Sequence, residues 1–329
     1  MSGSEKIEGR DAQSGHPESG EARRRQSARA VPESLGRELP GIAREAPLAP
    51  LCAYGVGGPA EYLFEARTHA ELVRAVLVAQ ELALPLTVLG QATNVLIDDD
   101  GVRGLVVLAR NSAISLDGER LTAGAGAVLP EIIGDLAQKG LAGLEFAGNI
   151  PGSVGGAVVG NAGAYGRSVG DALIEVSIVS GGQLRSALPA DLALGYRTSA
   201  IKTGDLKVVI VEATFELAGG VSSKLLAEIA RDAELRRGKH PLEYASCGSY
   251  FKNPSRERPA ALFIEQAGLK GLTVGQAQVS PAHANFLVAL PGATAADIRR
   301  LAAKVKRVVF ESSGVRLEEE VTMLGGSSS

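Results

Sequence analysis

The sequence predicts an α+β fold assembled from successive parts, and three observations carry it. A strand, a helix and two further strands follow one another between residues 61 and 108. An unusually glycine-rich stretch with its own strands occupies residues 110–218. A third stretch, from about residue 222 to 305, begins and ends with helical periodicity. Residues 1–38 stand apart: they are rich in Gly, Ser, Glu and Arg, with almost no large apolar side chain, and are expected to be a disordered tail.

Glu61 to Glu65 reads as a strand and Thr68 to Ala83 as a helix. Thr68 and Glu71 have capping-box spacing, and Leu72, Val73, Val76 and Leu77 supply an apolar face. Leu86 to Leu89 and Leu105 to Leu108 read as buried strands. In the middle stretch a helix has Pro130 near its start and Gly140 just past its end. Strands at Leu173 to Val179 and Val208 to Leu217 flank a turn signal at Gly181-Gly182. The third stretch holds helices at Ser223 to Arg237 and Pro259 to Ala267, and a strand at Asn285 to Leu290. A final helix starts at Thr294, with Asp297 placed for capping, and runs to about Ser312.

Composition removes several classes of function. The chain has 329 residues, 45% hydrophobic and 22% charged, with a formal net charge of -3, so general nucleic-acid binding is disfavoured. No apolar run is long enough for a membrane span, and the polar N-terminus lacks a secretory core, so membrane insertion is not expected and a cytoplasmic location is. Cys52 and Cys247 cannot make a disulfide scaffold, and neither they nor the four scattered histidines have metal-ligand spacing, so no metal is expected.

Two glycine loops are the strongest local features. Leu89 to Leu96, reading Leu-Gly-Gln-Ala-Thr-Asn-Val-Leu, follows a strand directly, where backbone N–H groups can cradle an anion. Gly148 to Val158 and Asn161 to Gly166 crowd glycines against an apolar stretch able to start a helix, a setting that suits a pyrophosphate. The spacing is not that of the dinucleotide fingerprint between two parallel strands, so a nucleotide-binding loop of another architecture is the better reading.

These loops and four further segments resemble, in order, the bacterial UDP-N-acetylenolpyruvoylglucosamine reductase family. The segments are Tyr54 to Ala60, Gly90 to Leu96, Ile150 to Gly166, Tyr196 to Ser199, Gly248 to Pro254 and Leu317 to Val321. The short stretch from Gly238 to Ser249 resembles the family's second type, which lacks a tyrosine-bearing loop. The resemblance implies a two-part FAD-binding fold of the vanillyl-alcohol-oxidase type, formed by 45–109 and 110–218. It implies a smaller α/β substrate domain at 222–305, and a return of 306–325 to the first part. The implied reaction is reduction of a UDP-sugar enolpyruvyl ether by NADPH through non-covalent FAD, in a monomer that could meet other cell-wall enzymes.

By the same resemblance, Ser249 is the proton donor, Arg197 grips the substrate carboxylate, and Glu320 helps hold the enolic intermediate. Flavin contacts are expected from Tyr54, Gly57, Gly90, Gln91, Ala92, Thr93 and Asn94, and from Pro151, Gly152, Ser153, Gly155, Gly156 and Asn161. Tyr196, Lys252, Asn253 and His283 are expected to contact substrate, with Lys202 beside Arg197 and Glu319 exposed to solvent. One departure matters: Ala92 stands where the family has glycine, and an alanine with positive φ would be strained. A competing reading is a flavin- or nucleotide-sugar-binding regulator without catalysis. The presence together of Arg197, Ser249 and Glu320 argues against it, because binding alone has no use for all three.

Overall fold

A computed structural model describes residues 32–241 and 243–326. Most of the expected tail therefore lies outside the described residues, but its last stretch does not fit the expectation. Glu33–Glu38 forms a helix whose Leu35, together with Leu39 just beyond it, is buried in the first hydrophobic core. Those two leucines supply the apolar anchor that the rest of the segment lacks.

The first part is a four-stranded sheet in the order Ala43–Pro47, Pro59–Ala66, Val102–Ala109, Leu86–Leu89. The last three strands run parallel, and Ala43–Pro47 adds an antiparallel edge that the sequence patterning did not reveal. The helix His69–Glu81 covers one face, with the Thr68–Glu71 capping box formed in both directions. The apolar run at 105–108 follows from burial on both faces. Leu105 and Val107 point into the core beneath that helix, whereas Val106 and Leu108 join a second core shared with the third part.

The second part is a five-stranded antiparallel sheet in the order Gln183–Ala187, Leu173–Ser180, Val209–Glu216, Arg120–Gly124, Ile114–Asp117. Gly181 and Gly182 both have positive φ, as a two-residue hairpin turn requires, and the strand they lead into was not foreseen. Leu129–Gln138 and the short helix Val154–Gly160 fill the core on one face of this sheet. The helix Ser222–Lys239, expected to open the third part, docks instead on Leu129–Gln138, and Asn149 Nδ2 donates to its Ile229 carbonyl at 2.8 Å.

The third part pairs Thr273–Val274, Ala277–Val279 and Leu287–Ala289 in an antiparallel sheet beneath the helices Ala260–Gln266 and Ala295–Ser313. The long helix Ala295–Ser313 runs unbroken across residue 306, where the return to the first part was expected, and its N-terminal turn already contacts that part through Asp99. Thr322–Leu324 then pairs in parallel with Val95–Ile97. Asp99 ties the parts together, accepting from the N–H groups of Ala295 (2.8 Å) and Ala296 (2.9 Å) at the helix N-terminus.

Candidate active site

Three chain segments converge where the parts meet. The loop Tyr250–Lys252 pairs antiparallel with Glu318–Glu320: Lys252 N–H donates to Glu318 O, and Glu320 N–H donates to Tyr250 O, both at 2.8 Å. Ser249, half-buried and preceded by Gly248 at φ 77°, enters this pairing from one side. Within the described residues the Ser249 hydroxyl makes no hydrogen bond, so it is available to another group.

Arg197 arrives on a tight turn. Gly195 and Thr198 exchange hydrogen bonds across it, and Arg197 itself sits in the left-handed region at φ 55°. Such backbone strain in a non-glycine residue persists only where the surroundings impose it. Here both ends are pinned to the Val154–Gly160 helix: Asn161 Nδ2 donates to Gly195 O at 2.9 Å, and Ser199 Oγ donates to Val159 O at 2.6 Å. Ser199 also caps the next turn by accepting from Lys202 N–H. Ser199 was read only as part of a motif; its structural role needed the helix it grips.

Arg197 Nε lies 3.1 Å from Glu320 Oε1. The two form an ion pair, but the Nε–H is not aimed along it and has no hydrogen-bond acceptor. Lys202 Nζ donates to the Glu320 carbonyl at 2.8 Å, and Asn94 Nδ2 reaches the same oxygen at 3.3 Å. Burial pushes the Glu320 carboxyl above the usual carboxylate range, while Arg197, Lys202 and Lys252 pull the other way. Burial likewise lowers Lys202, with Glu320 opposing. The result is a shielded pocket of cations around one carboxyl, suited to receive a second carboxylate and to stabilise charge that develops beside it.

Tyr196 is exposed, and its phenol oxygen accepts from Asn253 N–H at 3.3 Å. Lys252 Nζ stands 3.7 Å from Glu318 Oε2 and contributes to the potential at Glu320, so Tyr196, Lys252 and Asn253 do gather here. The Asn253 side-chain oxygen Oδ1, however, is spent on the N–H of Ala260. His283 belongs to a different cluster. It packs edge-on against His240 and Phe286, its Nδ1 accepts from Asn285 N–H, and among the described residues it makes no hydrogen bond or ion pair to Arg197 or Glu320. Burial lowers both imidazoles, His240 to about 4. Glu319, expected to be exposed, is paired with Lys306 Nζ, both carboxylate oxygens at 2.9 Å.

The two glycine loops face one another. Thr93 Oγ1 donates to Pro151 O at 3.1 Å, and Arg110 holds the first loop through Gly90 O at 2.7 Å. A Cβ on Gly90 would lie 2.0 Å from Ser153 Oγ, so only glycine permits this approach. Gly57 and Gly155 are similarly closed to a side chain, by Ile97 and Ala125. Ser153 caps the helix by accepting from Gly156 N–H. Among the described residues no protein acceptor takes the backbone N–H of Gln91, Ala92, Thr93 or Asn94, nor that of Gly152. Consecutive free donors between two glycine loops fit the diphosphate of a dinucleotide such as FAD.

Two residues expected to touch the flavin are committed elsewhere. Tyr54 is 1% exposed and its hydroxyl donates to Leu287 O at 3.1 Å, which makes it a core strut between the first and third parts. The Asn161 amide is occupied at both ends, by Gly195 O and by Gly170 N–H, so it positions the Arg197 turn. Ala92 does adopt positive φ, at 48°.

The comparisons with known proteins agree with this geometry. Residues 60–183 match the family model described as an FAD binding domain, and residues 240–324 match the C-terminal domain of UDP-N-acetylenolpyruvoylglucosamine reductase. The reductase of that name from Rubrobacter xylanophilus is 43% identical over 89% of this chain and 98% of its own length. That from Pediococcus pentosaceus is 40% identical over 85% and 93%. Among solved structures, the UDP-N-acetylenolpyruvylglucosamine reductase of Thermus caldophilus superposes with a TM-score of 0.74 at 34% identity, covering 86% of this chain and 99% of that one.

Proposed function

Because the chain belongs to the UDP-N-acetylenolpyruvoylglucosamine reductase family, we propose a division of labour among its residues in that family's reaction. The chain is an FAD-dependent oxidoreductase that reduces UDP-N-acetylglucosamine enolpyruvate to UDP-N-acetylmuramate with NADPH, a step in peptidoglycan precursor synthesis. Bound FAD would supply the hydride chemistry that links NADPH to the enolpyruvyl group. The free backbone donors of 91–94 and of Gly152 would hold its diphosphate.

The chain's own residues then handle charge and proton. The Arg197 guanidinium, with its free Nε–H, binds the substrate carboxylate and stabilises the enolate that forms next to it. Glu320, held at its carbonyl by Lys202 and raised by burial, stands on the other side of that charge and hydrogen-bonds the enolic form. Ser249 gives its proton to the α-carbon. Its ordinary hydroxyl is a weak acid, so the step depends on the basicity of the enolate and on position. Tyr196, Lys252 and the Asn253 amide nitrogen border the nucleotide-sugar. No helix among the described residues is long and apolar enough to cross a membrane. The reading carries with it a cytoplasmic monomer that supports cell shape and division through wall synthesis.

The observation that supports this assignment is the antiparallel pairing of Tyr250–Lys252 with Glu318–Glu320, which sets Ser249 one residue from the backbone that pairs with Glu320. The test is anaerobic absorbance of the FAD-loaded chain and of Ser249→Ala. Both should bleach normally with NADPH. Addition of UDP-N-acetylglucosamine enolpyruvate should restore the flavin band in the parent and do so about 10²–10⁴ times more slowly in the variant. Equal slowing of both steps would remove Ser249 from the proton-donor role.

A further inference from the structure

Cys52 and Cys247 are far apart in the chain and take no part in the reaction described above. Cys52 follows the short helix Ala49–Leu51, and Cys247 stands two residues before Ser249. Both are free thiols, 6% and 7% exposed, in the core that joins the first and third parts. Their sulfurs converge on one atom. Cys52 Sγ lies 3.4 Å and Cys247 Sγ 3.1 Å from the carbonyl oxygen of Val95, so both thiols donate to the same acceptor from distant points in the chain. Two sulfurs held on one carbonyl oxygen are neighbours in the core, and joining them requires closure to the roughly 2.05 Å of an S–S bond.

We propose that Cys52 and Cys247 form a reversible disulfide site, oxidised by a hydroperoxide, that ties the first part to the segment bearing Ser249. The proposal rests on the convergence of the two sulfurs on the Val95 carbonyl and stands independently of the reductase assignment. Cys52 is the attacking sulfur. The neighbouring Cys247 is the largest influence on it and lowers its pKa to about 7, whereas burial raises Cys247 well above the usual thiol range.

The chemistry balances with hydrogen peroxide as the co-reactant. The Cys52 thiolate attacks one peroxide oxygen, the O–O bond breaks, and the proton released by Cys52 leaves with the departing hydroxide as water. Cys52 is then a sulfenic acid. The Cys247 sulfur attacks the Cys52 sulfur, the S–O bond breaks, and the second hydroxide takes the Cys247 proton. Two thiols and one peroxide give one disulfide and two waters, with two electrons passing from sulfur to oxygen. The bond spans the loop before Gly57 and the loop before Ser249, and it removes both donors from Val95, whose neighbour Asn94 holds the Glu320 carbonyl.

The test uses the full chain loaded with FAD, exposed to a small excess of hydrogen peroxide near neutral pH and examined by intact mass, thiol titration after denaturation, and peptide mapping. The expected product is lighter by two hydrogens, lacks both thiols, and yields one peptide pair cross-linked through Cys52 and Cys247 within a single chain. Dithiothreitol should restore the starting mass. Cys247→Ser should stop at a sulfenic acid on Cys52 that dimedone traps. Intact thiols in folded, peroxide-treated protein would overturn the proposal, as would cysteines that gain oxygens without cross-linking, or cross-links between chains. The parent protein decides the question alone should the variant fail to fold.

Discussion

Arg197 Nε stands 3.1 Å from Glu320 Oε1, yet its N–H points at neither carboxylate oxygen and finds no acceptor in the protein. The ion pair thus holds the guanidinium without saturating it. A planar fork with one free donor can accept a further carboxylate, which a lysine, a rounded point charge, cannot match bidentately. Arg197→Lys should lower kcat/KM for the enolpyruvyl substrate by about 10²-fold, comparable to loss of one oriented donor at a developing oxyanion. Stopped-flow measurement should find reduction by NADPH unchanged; a matching loss there would place Arg197 at the cofactor instead.

The raised Glu320 pKa has a defined consequence for stability. Burial makes the folded chain hold this proton more tightly than the unfolded chain does. Stability therefore falls as pH climbs from the ordinary carboxylate range through the folded pKa, and the loss persists above it. Glu320→Gln, which cannot ionise, should melt at a higher temperature than the parent at pH about 8, and the difference should vanish below pH about 4. Melting curves across that range check the sign. A variant less stable at high pH would mean that the cations around Glu320 outweigh its desolvation.

Ala92 at φ 48° occupies a left-handed position that costs an ordinary residue about 1–2 kcal/mol. Glycine removes that cost but adds about 0.5–1 kcal/mol of unfolded-state freedom. Ala92→Gly should therefore stabilise the chain by up to about 1 kcal/mol, a rise in Tm of a few degrees. Differential scanning fluorimetry of both forms would detect it, and an unchanged or lower Tm would show that the loop does not carry the strain.

Asn161 spends both ends of its amide on the frame of the Arg197 turn, at Gly195 O and Gly170 N–H. Asn161→Ala leaves the half-buried Gly170 N–H without its acceptor, removes the shorter of the two bonds to Gly195 O, and puts another side chain at φ 43°. A cost of about 2–4 kcal/mol is expected in denaturant unfolding. Activity in the substrate half-reaction should fall while flavin content holds. Release of flavin by the variant, with the turn intact, would return Asn161 to the cofactor contacts.

Much of the architecture was legible because its signals are local. The Thr68–Glu71 and Thr294–Asp297 boxes mark helix starts that exist, and the run at 105–108 is apolar because both of its faces are covered. Edge strands escaped notice. Ala43–Pro47 and Gln183–Ala187 are short and largely exposed, so neither alternation nor a buried run announces them. At the candidate site the ordered motifs named Arg197, Ser249 and Glu320, and the structure brings the segments that carry them together.

What the sequence by itself determined is what neighbours along the chain can encode: periodicity, caps, glycine where backbone must approach backbone, and the residue types that the chemistry requires. Only the tertiary structure decided that Tyr54 is a core strut, that Asn161 braces a turn, that His283 stands apart from Glu320, and that Cys52 meets Cys247 over one carbonyl. Each of these depends on which distant segment packs against the residue. That partner is chosen by burial of apolar surface summed over whole helices and sheets, so no short stretch of sequence contains it.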